Sequence, residues 1–460
     1  MKNPRRPQGA ALALILLAGC ATGGARTPQE SVTRLEAERA RNPNSAAALR
    51  ALGIAYFQVR QYPEAKDALA AAERALPNDG VTALYTGMTA EAMNDLTAAR
   101  DAYSRYLTVG TSARTKKQIR DRLATVARRE LEGTAKAAVA QEAQLSSQPG
   151  PPNTIAVPPL RFSGADTSLR PLERGVAELL ITDLARSKEL TLLERERMQV
   201  LLDEVARSQG DRVDDATKVR AGKMLQAGRL IQGSITQVGP NITLTTAAVS
   251  VQTAQVSPVA TGDDQLEQLF DLEKKVVLDL FDRLGVTLTA DERSQIVAAK
   301  PTRSLRAFLA YSRGLMAEDR GDFFEAARLF NDARSMDPGF GGASIKAAGA
   351  SAAAQGTQVS NATVQASQSG TREGAVVRAA SSGSMDVQTG TAQAAANDVN
   401  VSQNATQAGS GQTLTGGGVE GTTTTSGAPP PQAPRPPVSG TTPLPESTGT
   451  ITFVIRPPEL

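Results

Sequence analysis

Histidine and tryptophan are absent from this 460-residue sequence, and cysteine occurs once, at Cys20. Without histidine, the chain cannot build a Ser-His-Asp or Cys-His catalytic centre, a histidine-ligated zinc site or a histidine pH switch. A single cysteine excludes a disulfide within the chain, and no segment matches the glycine-rich nucleotide-binding patterns. Paired carboxylates remain open as catalysts or metal ligands, but most acidic residues neighbour arginines on predicted helix faces. We expect no enzyme, no cofactor and no metal site.

Charge and aromatic content are both low. The formal net charge is +3, and aromatic residues make up 3% of the chain. Nucleic-acid binding needs a basic surface and rings on which bases stack, so we expect no nucleic-acid partner. The composition favours a protein or an envelope polymer as the partner.

The first twenty residues are typical of an exported protein. A basic start precedes an apolar stretch from Ala10 to Ala18, which is too short to span a bilayer. The run Leu17-Ala18-Gly19-Cys20 resembles the lipobox of bacterial lipoproteins. The resemblance implies a signal peptide over 1–19, lipidation of Cys20 and a lipidated tether over 20–30. Ala21, rather than aspartate, implies anchoring to the outer membrane, which we expect on its periplasmic face.

An internal repeat follows the leader. Gly87 lies 34 residues after Gly53, and Ala99 lies 34 residues after Ala65, which is the period of a helix-turn-helix repeat. The first unit carries the fullest pattern, at Leu49, Leu52, Gly53, Tyr56, Ala65, Leu69, Ala72 and Pro77. The second keeps Gly87, Ala99 and Tyr103, and a third unit downstream has Gly314, Ala326, Phe330, Ala333 and Pro338. These segments resemble tetratricopeptide repeats, within residues 31–148 and 286–345.

A helix after the first two units is predicted from Arg114 to about Leu131, where it would cap their apolar face. Arg120 and Arg128 on this helix are candidate partner contacts, although a solvated basic face is the favoured explanation. The candidate contacts on the concave face of the repeats are Tyr56, Tyr85 and Tyr103. The favoured interpretation places those rings in the core of the repeats.

The segment 149–285 has the pattern of an α/β domain. Apolar runs predict strands at Ile155–Val157, Leu190–Leu193, Arg229–Val238, Ile242–Val251 and Gln255–Val259. Helical periodicity predicts helices over Pro171–Ser187, around Met198–Val205, from Asp214 to Leu225, and over Asp264–Leu284. We therefore expect an α+β multidomain chain in which helical hairpins flank a central α/β domain.

Three short segments of this domain carry a second resemblance. Ile155-Ala156-Val157-Pro158, Leu192-Leu193-Glu194-Arg195 and Leu230-Ile231-Gln232-Gly233 resemble the CsgG-like curli-secretion family. The same core is similar to the amino-terminal domain of TolB and to lipoproteins that activate penicillin-binding proteins. The resemblance implies an envelope or export assembly. Because the predicted connections are turn-sized, an oligomeric secretion pore is the less favoured outcome.

Residues 346–460 are rich in glycine, serine, threonine, alanine and glutamine, and this composition predicts a disordered tail. Its end, Ile451–Ile455, is either a β-strand that adds to a sheet edge or a disordered terminus. Taken together, the patterns predict a lipid-anchored periplasmic scaffold that docks envelope or secretion-complex proteins, with homo-oligomerisation possible. The alternative is a lipoprotein activator of a peptidoglycan synthase.

Overall fold

The computed structural model describes residues 27–209 and 214–383. The predictions for the leader, for Cys20, for residues 384–460 and for Ile451–Ile455 lie outside the described residues. Within the described ranges, none of the helices combines the length and apolar character that crossing a membrane requires.

The amino-terminal part is a series of antiparallel helices. They are α1 (Pro28–Arg41), α2 (Ala46–Gln58), α3 (Tyr62–Ala75), α4 (Gly80–Ala92), α5 (Leu96–Val109), α6 (Ala113–Ala140) and the short α7 (Glu142–Leu145). Ser45, Asp79 and Ser112 begin α2, α4 and α6, and each accepts a hydrogen bond from the backbone N–H three residues later. The predicted capping helix is therefore present as α6, which continues past Leu131 to Ala140.

The paired helices approach closely at a small residue. A Cβ atom on Gly87 of α4 would lie 2.5 Å from Cδ1 of Tyr103 on α5. Glycine is needed at this position because a larger side chain would overlap the ring. The fully buried Tyr103 ring then fills the space between the two helices.

The central part contains a mixed sheet. Its elements are β1 (Thr154–Ala156), β2 (Arg161–Ser163), α8 (Leu172–Leu184), β3 (Thr191–Leu192), α9 (Arg195–Gln209), α10 (Asp215–Met224), β4 (Arg229–Val238), β5 (Asn241–Ser250), β6 (Ala260–Gln265) and α11 (Leu269–Leu284). The strand order is β3-β1-β4-β5-β6, and β2 also pairs with β4. β1 is parallel to β3 and β4, whereas β5 is antiparallel to both of its neighbours. The predicted α+β class is confirmed.

Two predicted elements of this part are displaced. The third hairpin strand was expected at Gln255–Val259, but that segment forms only a bridge between Val249 and Val256, and β6 follows it. The helix expected from Asp264 begins at Leu269. β6 ends the sheet, and after the buried Ala260 its residues alternate between exposed and partly covered. Asp263 is exposed and Asp264 pairs with Lys275, so the strand lacks the apolar pattern on which the prediction depended. β2 was not predicted.

The carboxy-terminal part is again helical. Its helices are α12 (Ala290–Ala298), α13 (Leu305–Asp319), α14 (Phe323–Met336), α15 (Gly341–Gly356), α16 (Asn361–Ser367) and α17 (Arg372–Ser381). The predicted disordered tail from residue 346 is therefore wrong as far as residue 383. α15 packs against α14 and α6, and its alanines Ala343, Ala347 and Ala350 are buried. Small side chains allow close helix packing and alanine has the highest helix propensity, so a low content of large apolar residues does not prevent folding here.

The buried core continues across the expected domain boundaries. One cluster joins the sheet with α8, α11 and α13–α15, and includes Ile231, Phe270 and Phe308. Another joins the amino-terminal helices with Ala380 of α17. A third covers the other face of the sheet and includes Ala135 of α6. The sheet is thus covered by helices that come from both ends of the described chain.

Candidate partner-binding site

The face formed by α1, α2, α4 and α6 is covered by the chain's own carboxy-terminal helices. α17 packs against α1, α2 and α4, and α16 packs against α6. Ser381 joins α17 to two helices, because its carbonyl oxygen accepts from the Ser31 hydroxyl at 2.6 Å and its hydroxyl accepts from the Gln58 amide at 2.6 Å. The surface predicted to receive a partner is therefore occupied within the same chain.

Glu373 of α17 makes an enclosed polar contact at this covered face. Its side chain is buried, and its carboxylate accepts hydrogen bonds from the Tyr106 hydroxyl at 2.7 Å and from the Thr111 backbone N–H at 2.6 Å. The Thr111 hydroxyl donates a third, at 3.0 Å. A buried carboxylate is costly without partners, so these three donors hold α17 at one position.

The three predicted contact tyrosines lie in the core. Tyr56 donates to Glu36 at 2.7 Å, Tyr103 donates to Glu91 at 2.9 Å, and the fully buried Tyr85 contacts Gln365 of α16. Burial and the hydrogen bond to Glu36 raise the pKa of Tyr56 to about 12, and burial raises the pKa of Tyr85 and of Tyr103. In this arrangement the rings stabilise the helices and are not available to a partner.

The two predicted arginines of α6 have different surroundings. Arg120 is exposed and has no ion-pair partner among the described residues. Arg128 donates from Nε to Glu132 at 2.9 Å and from Nη2 to the carbonyl oxygen of Asp319 at 3.0 Å. The structure therefore does not bring the five predicted contact residues together into one site.

A buried ion-pair cluster, which sequence reasoning missed, joins the central and carboxy-terminal parts. Arg195 at the start of α9 contacts Glu318 at 2.6 Å, Glu178 at 3.1 Å and also Asp319. Its side chain is only 8% exposed. Since Arg195 and Glu318 are 123 positions apart, no local pattern could predict the pair.

Lys346 extends the cluster to α15. Its Nζ lies 2.9 Å from Glu318 and 3.0 Å from Glu196. Burial opposes the positive charge, but Glu318 and Glu196 outweigh this effect and raise the pKa of Lys346 well above its usual value. Removing one member of such a cluster would leave buried charges without partners. The cluster therefore fixes α9, the end of α13 and α15 relative to one another.

No group of three or more Cys, Asp or Glu residues within 27–209 and 214–383 is arranged to hold a metal ion. The acidic residues described above instead accept hydrogen bonds from arginine, lysine, tyrosine and threonine.

The central part matches a known family. The model for the curli production assembly/transport component CsgG matches residues 129–256, from within α6 to just beyond β5. This match supports the CsgG-like prediction for that part of the chain. The LpoB C-terminal domain from Salmonella enterica is a similar solved structure, with 15% identity over 29% of this chain and 98% of that chain, and a TM-score of 0.21. No curated protein matches the chain.

Proposed function

We propose that this chain is a lipid-anchored periplasmic scaffold that docks protein partners in an envelope or export assembly. The observation that carries the proposal is the match of residues 129–256 to the curli production assembly/transport component CsgG. The predicted leader over residues 1–19, which precedes Cys20, agrees with an envelope address. Tetratricopeptide-type helical hairpins would supply docking surfaces on either side of the matched domain.

The arrangement of the helices supports a rigid scaffold. The matched domain shares buried cores with helices from both ends, and the Arg195 cluster joins α9 to α13 and α15. A rigid platform loses little conformational freedom when a partner docks. Anchoring through Cys20 would keep that platform at the membrane. Its linked docking surfaces would then bind the components of one complex at a high effective concentration. The chain contributes no chemistry in this mechanism.

The position of α17 determines which surfaces of the amino-terminal helices a partner can reach. The face that carries Tyr56 and Tyr85 is covered, whereas Arg120 on α6 is exposed. We therefore place a partner contact on the exposed side of α6 around Arg120.

Capture from native membranes tests the proposal. The lipidated chain would be crosslinked mildly in cells, purified, and compared with a Cys20→Ala variant that retains the described fold. We expect export or surface-fibre components to purify with the wild-type chain and to be depleted from the variant. Peptidoglycan synthases in their place would favour the activator alternative, and ring-shaped particles would favour a pore. The absence of any envelope protein would refute the scaffold.

A further inference from the structure

A cavity of about 480 Å³ lies where four segments of the described chain meet. One wall is α6, a second is the turn between α13 and α14, a third is the connection from α15 to α16, and α4 contributes Glu91. Its polar lining residues are Glu91, Arg122, Thr125, Arg128, Arg129, Glu132, Arg320 and Thr357. We call it the arginine cavity. A single water fills about 30 Å³, so the cavity has room for a ligand of several atoms.

Positive charge exceeds negative charge in this lining. Four arginines face two glutamates, and both glutamates are already engaged. Glu91 accepts from Arg122 at 2.7 Å and from Arg129 at 2.9 Å, and Glu132 accepts from Arg128 at 2.9 Å. Two guanidinium charges of the lining are therefore left without a matching carboxylate inside the cavity.

Two of the arginines keep unused donors. Arg122 is only 8% exposed, and its Nη1 is buried without a hydrogen-bond partner. Arg320 is exposed and makes no ion pair with any residue in the described ranges. The Arg122 guanidinium also lies over the Tyr103 ring, with Cζ 5.9 Å from the ring centroid. The accessible donors are therefore those of Arg320, for which an oxyanion bound in the cavity would supply acceptors and charge together.

We propose that the arginine cavity binds a phosphate monoester. A phosphate monoester carries up to two negative charges, which match the surplus of two, and its three terminal oxygens accept hydrogen bonds in different directions. The planar guanidinium group is suited to pair with phosphate. The donors on α6 and on the α13–α14 turn lie on different walls of the cavity. A planar carboxylate would accept hydrogen bonds from fewer of these donors than a phosphate group would. This inference is independent of the proposed scaffold function.

Binding would be measured on the full lipidated chain in detergent, by thermal unfolding against glycerol phosphate, with sodium chloride at matched ionic strength. The test variant is Arg320→Gln, because this exposed side chain supports no ion pair of the described fold. The matched control is Arg313→Gln, which also removes an exposed arginine on α13, away from the cavity lining. Circular dichroism would verify that both variants remain folded.

We expect a saturable rise in Tm with glycerol phosphate, about tenfold weaker apparent affinity in Arg320→Gln, and wild-type behaviour in Arg313→Gln. Three results would overturn the site: an equal loss of affinity for glycerol phosphate in both variants, an equal rise in Tm with sodium chloride alone, or no rise in Tm. An equal response to succinate would overturn the assignment to phosphate. The phosphate monoester could belong to a lipid headgroup or to a soluble ligand, and dioctanoyl phosphatidic acid distinguishes the two. Tighter binding of this lipid than of glycerol phosphate indicates a lipid headgroup, and equal binding indicates a soluble ligand.

Discussion

The hydroxyl of Tyr106 on α5 donates a 2.7 Å hydrogen bond to Glu373 on α17, 267 positions later in the chain. Glu373 also receives the Thr111 backbone N–H. This contact attaches the last described helix to the amino-terminal helices. The carboxy-terminal helices are therefore part of the fold, and they cover the face that the repeat pattern had suggested for a partner.

Replacing Glu373 should loosen α17. Glu373→Ala leaves the Tyr106 hydroxyl and the Thr111 N–H without their acceptor, and we expect a loss of about 2 kcal/mol in the free energy of unfolding. Urea denaturation measures this loss. The control is Glu267→Ala, which removes an exposed carboxylate and should cause no measurable change. Equal stability of the two variants would mean that Glu373 does not hold α17 in solution.

Arg195→Met should destabilise the junction between α9 and α13. The variant leaves Glu318 and Asp319 buried beside fewer positive charges, and such a loss costs about 3 kcal/mol. The control is Arg328→Met, since Arg328 forms an exposed pair with Glu325 on α14, where ion pairs contribute little. Guanidinium unfolding of both variants tests the contrast. A small effect at Arg195 would show that the cluster is not formed.

Glycine at the helix contacts should not tolerate a methyl group. A Cβ on Gly314 of α13 would lie 2.5 Å from Cε1 of Phe330 on α14, so we expect Gly314→Ala to cost about 2 kcal/mol. Gly133 of α6 has no atom within 4 Å of the same position. Gly133→Ala should therefore stabilise the chain by about 0.5–1 kcal/mol through helix propensity. Thermal unfolding should show Tm shifts of opposite sign.

Stability should depend on pH through Glu273 of α11. Burial raises the pKa of Glu273 to about 8, and nearby Asp183 adds to the shift while Lys274 opposes it. A carboxyl whose pKa is higher in the folded state holds its proton there while the unfolded chain releases it. The protonated Glu273 therefore contributes fully to the free energy of unfolding below pH 4.5, the ordinary pKa of glutamate. That contribution is lost as the pH rises towards about 8.

The variant Glu273→Gln isolates this contribution. The amide stays neutral, so the free energy of unfolding should fall less steeply than in the wild type between about pH 5 and pH 8. Chemical denaturation across that range gives both slopes. Identical slopes would show that Glu273 is ionised in the folded chain.

Local patterns predicted much of the central fold. β4 has the predicted bounds Arg229–Val238, and α10 begins after Asp214 as expected. These elements depend on apolar periodicity and capping, which the sequence displays directly. β6 was misplaced because an edge strand needs no continuous apolar face.

The candidate site was less predictable for a physical reason. The contacts that define it join residues far apart in sequence, as Arg195 and Glu318 do, or Tyr106 and Glu373. α15 and α17 are rich in alanine, serine and glycine, a composition that both packed helices and disordered segments can show. A repeat pattern does not reveal whether its inner face is already covered, so the tyrosines stood as candidate contacts beside the favoured interpretation, in which they belong to the core.

Photo-crosslinking in cells at position 120 tests the scaffold most directly. A photoreactive residue would replace exposed Arg120 on α6, and a second chain would carry it at exposed Glu267, next to the start of α11. We predict a discrete adduct with an envelope protein from position 120 and none from position 267. Equal, diffuse labelling at both positions, or adducts without envelope proteins, would contradict a docking role for this chain.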